Sequence, residues 1–479
     1  MSKVNKKEKQ YFKRKHRRCY VTSLSYLVKH KFLDYTSTTW IDYHLNFRMK
    51  IKLLNHASII VECGPLKLLC DPWFSGTCFE QGWGLKFFNP QCFDLAMRCT
   101  HLWVSHFHGD HFHAETLREL VKLNPKVQVL GNNSFNFQMD DAFRRIGFEN
   151  VIPLLERKKM KLSEDVEIIR YPTTGIDNML LLEYKGARLL NYNDCNLPSK
   201  ALNTLIKKIG RVDIILNNYN HAGKILSCPL PPASEIKDEQ KTDFLNKSIL
   251  FNPRYIIPFA SDHYYRAAES LEQNESLMNI TELSSLDLRI IPLKVGEAIE
   301  FDEQLNIVEH YFIASVQENK YEVVEYSNPK TFSELSNSFA RYAEKIQKSF
   351  LYLVFWLPVL HVKITDLDLV VSIRLNQNLK IVAKSEKYHI SATSEALYSW
   401  FNKDYGIDGF WVGAHFEINQ NSTFPLRWQL LIGLLTENKL DLLSLTKSIF
   451  SSGGIKFLWA RREEIMAIIL NFNFKVGQR

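Results

Sequence analysis

None of the chain's eight cysteines, Cys19, Cys63, Cys70, Cys78, Cys92, Cys99, Cys195 and Cys228, stands in a CxxC pair. That excludes a zinc knuckle and the paired ligands of an iron–sulfur cluster, so buried, reduced thiols are expected. Long apolar runs are also missing. The most apolar stretch, 350–362, is interrupted by Pro358 and His361 and falls short of the roughly 20 residues that cross a bilayer, so it reads as core and no transmembrane segment is expected. The opening MSKVNKKEKQYFKRKHRR lacks the apolar centre of a secretory signal, which gives a cytoplasmic expectation. Charge of one sign is scarce outside that segment. The net charge is +8, and between Lys3 and Arg18 nine Lys or Arg face one Glu. A solvated basic arm is the reading, with no nucleic-acid partner expected. There is no internal repeat and no low-complexity block.

What is present is the balance of a folded protein: 479 residues, 46% hydrophobic, 13% aromatic and 23% charged, enough for two or three domains. Short strands are expected at 49–54, 57–62 and 67–70 as an antiparallel meander, then at 101–104. Apolar spacing turns helical at 114–123, with Leu117, Leu120 and Val121 on one face. Strands follow at 127–130, 151–155, 166–171, 179–184 and 187–192, the last two forming a hairpin about Lys185-Gly186. Helices at 201–209 and 244–251 alternate with strands at 212–216 and 255–258. Interleaving of this kind makes one α/β domain. A polar stretch then leads to a helix at 332–348, striped by Leu335, Phe339, Tyr342 and Ile346. Strands at 366–374, 379–383 and 387–390 and helices at 394–401 and 441–450 form a smaller α+β module. The boundaries are therefore 1–48 for the basic arm and lead-in, 49–314 for the main domain, 315–348 for a linker and helix, and 349–479 for the C-terminal module, a surface through which the chain could form oligomers.

One segment carries chemistry. Residues 105–111 read SHFHGDH. His106 and His108, one residue apart on extended backbone, can face one metal, while Asp110 and His111 can turn to a second. Imidazole nitrogen and carboxylate oxygen suit zinc, iron or manganese. His101 and His113 flank the motif without its spacing and read as structural. GWG at 82–84 and SGG at 452–454 read as turns, and Trp73, Phe74, Trp83, Phe87 and Phe88 as either a pocket lining or core packing.

The stretch THLWVSHFHGDHFHAETL (100–117) resembles the metallo-β-lactamase superfamily, in particular the branch holding CMP-N-acetylneuraminate hydroxylase and related bacterial proteins. NHASIIVECGPLKLLCDPWF (55–74), GIDNMLLLEYKGARLLNYNDCN (175–196) and NPRYIIPFASDHYY (252–265) support that branch, over 49–301. The resemblance implies an αββα sandwich with a two-metal site at the edge of its sheets. It implies His106 and His108 at the first metal, Asp110 and His111 at the second, and Asp194 bridging. Its third histidine at the first metal has no counterpart, since none lies between His113 and His221. Asp177 is the substitute, unless it is an ordinary turn aspartate. The last ligand falls nearer Ala260 than His263, so His263 and His221 compete for it.

Two metals can activate a water against an ester, lactone, amide or phosphodiester, with Asp110 and His263 as candidate catalytic residues and His263 assisting the leaving group. A carboxylate in place of a histidine favours iron and dioxygen chemistry instead. The expectation is a diiron oxygenase of hydroxylase type acting on a small molecule, with electrons from a separate donor because the cysteine and histidine pairs of a Rieske domain are missing. Di-zinc hydrolysis is the close alternative, and a binding scaffold with a degenerate site the third.

Overall fold

Alternation dictates the first strands. Met49–Asn55 buries Met49, Ile51 and Leu53 and leaves Lys50 and Lys52 partly exposed, the period-two pattern of a strand with one face on a core. It pairs antiparallel with Ser58–Cys63, which pairs antiparallel with Leu66–Cys70. Strands His101–Trp103, Gln128–Gly131 and Val151–Pro153 then add in parallel, and Glu297–Phe301 and Ile307–Phe312 extend the other edge to make eight strands. A six-stranded sheet holds Lys159–Lys161, Val166–Pro172, Asn178–Tyr184, Ala187–Asn193, Ile214–Asn218 and Tyr255–Phe259. Its hairpin turns at Lys185 and Gly186, both with positive φ (47° and 90°), where glycine is at ease.

The structure is a computed structural model that describes residues 48–133, 139–173, 177–195, 197, 199–227, 229–382, 387–422, 424, 425, 428 and 462. Phe47–Arg479 forms one compact unit. Cys19, Cys228, the basic arm, the expected helix at 441–450 and the SGG at 452–454 lie outside the described residues.

Side-chain alternation sorts the two sheets into layers. Ile51, Val61 and Leu68 of the first and Ile168, Leu180, Leu189 and Ile257 of the second share one core. Their sequence neighbours point outward: Ile60, Leu69, Leu102 and Val129 pack on Leu117 and Leu120 of helix Ala114–Leu123 and on Phe143 of helix Met139–Ile146. On the other flank, Ile169, Leu181, Leu190 and Ile215 pack on Leu202 and Leu205 of helix Ser199–Ile209 and on Phe244 of helix Ala233–Ile249. Helix, sheet, sheet, helix is thus an α/β sandwich of αββα layering. Helix Ala233–Ile249 starts earlier than the apolar pattern indicated, because its first turns are polar and only Ile236, Phe244 and Ser248 are buried. Of the GWG stretch only Gly82 lies in a turn, its N–H donating to the Phe79 carbonyl at 2.9 Å, while Trp83 and Gly84 belong to a strand. Trp83–Leu85 pairs with His263–Tyr265, and Gly84 is needed because a Cβ there would collide with the Tyr264 ring.

Residues 315–331 are laced to the sandwich: Gln317–Glu318 pairs with Phe87–Phe88, and the Val324 amide donates to the Arg266 carbonyl at 2.9 Å. Helix Phe332–Trp356 begins with a reciprocal cap, Glu334 N–H to Thr331 Oγ1 (3.3 Å) and Thr331 N–H to Glu334 Oε2 (2.8 Å), which satisfies two orphan donors. It covers a five-stranded sheet of Leu360–Ile364, Leu369–Ile373, Lys380–Val382, Ile390–Ala392 and Glu417–Ile418. Leu335, Phe339, Val362, Val371 and Trp400 form its separate core. Helix Gly406–Val412 has no counterpart in the sequence reading, since its glycines mask the periodicity. Among the described residues no helix is long and apolar enough to cross a membrane.

Candidate metal centre

The site is built at strand ends. Asp71 follows strand Leu66–Cys70 in a left-handed conformation (φ 44°) and is fully buried. Its Oδ1 accepts from Ser105 N–H at 2.7 Å and Ser105 Oγ–H at 3.0 Å. Its Oδ2 accepts from Asn193 Nδ2 at 2.8 Å and stands 3.4 Å from His111 Nδ1. One carboxylate therefore ties the histidine loop to the strand end that carries Asp194. Asn132 and Asn178 hold the loop from the other side, donating to the Ser105 carbonyl at 2.6 and 2.9 Å.

This network sets the tautomers. Ser105 Oγ–H is given to Asp71, so its oxygen accepts from Nδ1–H of His106 at 2.9 Å, and His106 Nε2 presents a lone pair inward. That nitrogen lies 2.8 Å from His108 Nδ1 and 3.6 Å from Asp194 Oδ2. His111 Nε2 stands 3.3 Å from Asp110 Oδ2 and 3.5 Å from Asp194 Oδ2. His56, in the turn between the first two strands with φ 26°, brings Nε2 to 3.3 Å from Asp110 Oδ2. Two groups result, His106, His111 and Asp194, and His56, Asp110 and His111, the ligand atoms of each lying within 4.8 Å of one another.

The electrostatics call for positive charge between these groups. Burial alone would raise the Asp110 and Asp194 carboxyls, yet Asp110 is pulled well below its ordinary value by His111 and His56, and Asp194 below its own by His106 and His111. Burial lowers His111, but Asp110, Asp194 and Asp71 together drive it well above the imidazole range. His106 is held well below that range by burial. Asp110 Oδ1 and Asp194 Oδ1 are buried without a hydrogen-bond partner, a state that costs free energy unless a cation or proton meets them. The donor set fits a metal pair.

The other expected residues lie around this cluster. The Asp177 carbonyl accepts from Thr173 N–H at 2.9 Å, and its carboxylate acts on the charge of His108, but it is in neither three-residue group. His263 is stacked on Trp83, ring centroids 3.9 Å apart, and 5.5 Å from the His56 ring, also outside both groups. Burial and then His56 hold its pKa well below the ordinary value. His221 is turned away, meeting Ser276 Oγ at 2.8 Å and Tyr265 Oη at 2.9 Å. Ala260, whose N–H donates to the His56 carbonyl at 2.9 Å, has φ 52°. His113 caps helix Ala114–Leu123, accepting from Thr116 N–H. Trp73, Phe74 and Trp83 are buried, and Phe88 is exposed.

Sequence reasoning missed His56, Asp71 and Asp408. The local sequence marks the first two as unusual, a hairpin turn of Asn-His-Ala-Ser without the Gly that such a turn favours and an aspartate ending a buried strand, but nothing in it links either to the loop 105–111. Asp408 lies 300 residues from His108 in sequence, yet its Oδ2 comes to 3.9 Å from His108 Nε2. Burial pushes its carboxyl up to about 6.

No protein-family model matches the chain. Among curated proteins it is similar to cytidine monophosphate-N-acetylneuraminic acid hydroxylases. It is 25% identical to that of Danio rerio over 286 residues, 53% of this chain and 46% of the relative. It is 22% identical over 263 residues to the Homo sapiens protein, which is described as inactive, covering 50% of this chain and 51% of that one. The chain spans about half the length of these curated relatives. Among solved structures it is similar to CmlA, a diiron β-hydroxylase from Streptomyces venezuelae (17% identity, 48% of this chain and 47% of that one, TM-score 0.33). It is also similar to an isothiocyanate hydrolase from Delia radicum gut bacteria (16% identity, 53% and 99%, TM-score 0.39). Likeness in sequence to the hydroxylases over half the chain, together with an αββα core and a convergent histidine–aspartate centre, supports the branch of the metallo-β-lactamase superfamily that the loop 105–111 resembles.

Proposed function

We propose that this chain is a metal-dependent oxygenase of hydroxylase type that holds two divalent ions, iron for preference, and acts on a small molecule. The observation that carries this reading is the convergence of Asp110 and Asp194, each with a buried oxygen lacking a protein partner, on the nitrogens of His56, His106 and His111. His106 and His108 with Asp177 would hold the first ion, His56, Asp110 and His111 the second, and Asp194 would lie between. A mixed shell of four imidazoles and three carboxylates suits iron, with manganese a further fit. When bound, iron supplies dioxygen activation. The chain's own part is to hold ligands rigid and dry: Ser105, held by Asp71, fixes the tautomer of His106, Asp71 stands behind His111, and Trp73 and Trp83 close the His56 side. His263, buried beside His56 with both ring nitrogens unpartnered, would hydrogen-bond a polar substrate group. Electrons would come from a donor outside these residues, since the chain's cysteines make no cluster-binding pair.

A second reading rests on the group His56, Asp110 and His111, because two imidazoles and one carboxylate are the set that catalytic zinc takes in hydrolases. Metal analysis of protein purified without oxygen, followed by oxygen uptake after reduction, decides between them. Two irons per chain and oxygen consumption are expected. Two zincs with no uptake support hydrolysis, and metal far below one per chain defeats both.

A further inference from the structure

His106 and His111 each have a partner behind the ring, Ser105 Oγ at 2.9 Å and Asp71 Oδ2 at 3.4 Å. Both partners sit on the sandwich itself. His108 differs. Its Nδ1 faces His106 Nε2, which leaves Nε2 pointing away from the pair, and the carboxylate it meets is Asp408 Oδ2 at 3.9 Å. That distance is beyond a hydrogen bond and within reach of a charged pair. Asp408 is buried and its Oδ1 has no partner, an arrangement that costs stability and calls for a reason.

The placement is fixed by close backbone packing. Helix Gly406–Val412 lies on the loop 79–82, in which Phe79, Glu80 and Gln81 all have positive φ (51°, 56° and 68°). A Cβ at Gly409 would run into the Glu80 side chain, and one at Gly413 into the Phe79 carbonyl. His415 Nε2 meets that same carbonyl at 3.0 Å, Ser270 Oγ donates to the Ala414 carbonyl at 2.5 Å, and Lys403 pairs with Glu80. The Tyr405 ring packs on Phe107 at 5.2 Å and Phe79 on His108 at 6.1 Å. His108 is thus bracketed by the glycine helix and the loop it presses on.

We infer that Asp408 is a positioning residue of the metal centre: its carboxylate holds Nε2–H of His108 outward so that Nδ1 faces the first metal, and the C-terminal region thereby completes the site. The inference rests on the metal-centre reading above. A histidine ligand whose second nitrogen is held by a carboxylate is oriented and made more basic, and loss of such a partner weakens metal binding about 10–100-fold.

The test is a titration of the metal-free full chain with Zn(II) against a chromophoric chelator, beside a thermal melt of the metal-free protein. Asp408→Asn is expected to weaken one of two sites about 10–100-fold, leave the other within about threefold, and leave the melting temperature unchanged or raised, because a buried carboxylate with an unpartnered oxygen has been removed. Asp408→Glu, which keeps the charge, should fall between, and Lys403→Ala, which cuts another contact between the same regions, should change neither site. Unchanged affinities in Asp408→Asn overturn the inference. So does an equal loss at both sites with a lowered melting temperature, which is what a purely structural role gives. If Asp408→Asn does not fold, Asp408→Glu is judged by the same one-site criterion. Wild-type protein that binds no Zn(II) defeats the metal-centre reading itself.

Discussion

The loop 105–111 and the helix Gly406–Val412 both deliver ionisable groups to one centre, by opposite means. The loop does so with residues adjacent in sequence, released at the end of a buried strand and held by Asp71, Ser105, Asn132 and Asn178. The helix does so with a single aspartate brought from a separate core and seated by glycines that let backbones touch. A contiguous motif needs only a strand end to aim it, whereas a remote residue needs a whole packed interface. The loop is therefore local in origin and the helix global, and damage to each should look different.

The largest effect is expected at the loop. His111 Nε2 belongs to both ligand groups and would hold the second ion, so His111→Ala should take metal content from two ions per chain to about one or fewer and reduce turnover at least about 100-fold; retention of both ions by elemental analysis would erase the distinction between local ligand and remote support. Next is the core beneath the helix. Trp400 is fully buried, and Trp400→Ala should cost about 3–5 kcal/mol in denaturant unfolding, while Zn(II) binding at the His56 site persists in the protein that remains folded. Equal loss at both sites would mean that the C-terminal core supports the entire centre and not His108 alone.

The third effect is a pH dependence away from both ligand groups. Burial lowers His221 from 6.5 to about 4, so the unfolded chain takes up a proton that the folded one refuses. Its contribution to stability is complete above about pH 6.5 and is lost as pH falls toward 4, up to about 3 kcal/mol. His221→Gln should flatten the stability profile in that window, as urea unfolding at a series of pH values can read. The smallest effect is expected at the rim of the interface: Lys403 is more than half exposed where it meets Glu80, and Lys403→Ala should cost less than about 1 kcal/mol. A larger loss would make side-chain charge, and not glycine packing, the tie that seats Asp408.

Much of the sandwich was legible because its strands alternate. Ile168 and Ile169, or Leu189 and Leu190, point to opposite layers by period alone. The polar start of helix Ala233–Ile249 and the glycines of Gly406–Val412 hide from the same analysis, since their apolar residues do not repeat at helical spacing. In the centre, the motif named His106, His108, Asp110 and His111, and only the family resemblance implied Asp194. The motif could not name His56, because a hairpin turn shows no sequence link to a loop 50 residues on.

By itself, then, the sequence determined which residue types are offered to metal and that they leave a strand end, because those properties depend on neighbours along the chain. Only the tertiary structure decided the rest. It set His56 rather than His263 beside Asp110, put Asp71 behind His111, and carried Asp408 to His108. Each of these depends on strand register, on left-handed turns at His56, Asp71 and Asn193, and on glycine contacts between distant segments, none of which has a signature in local spacing.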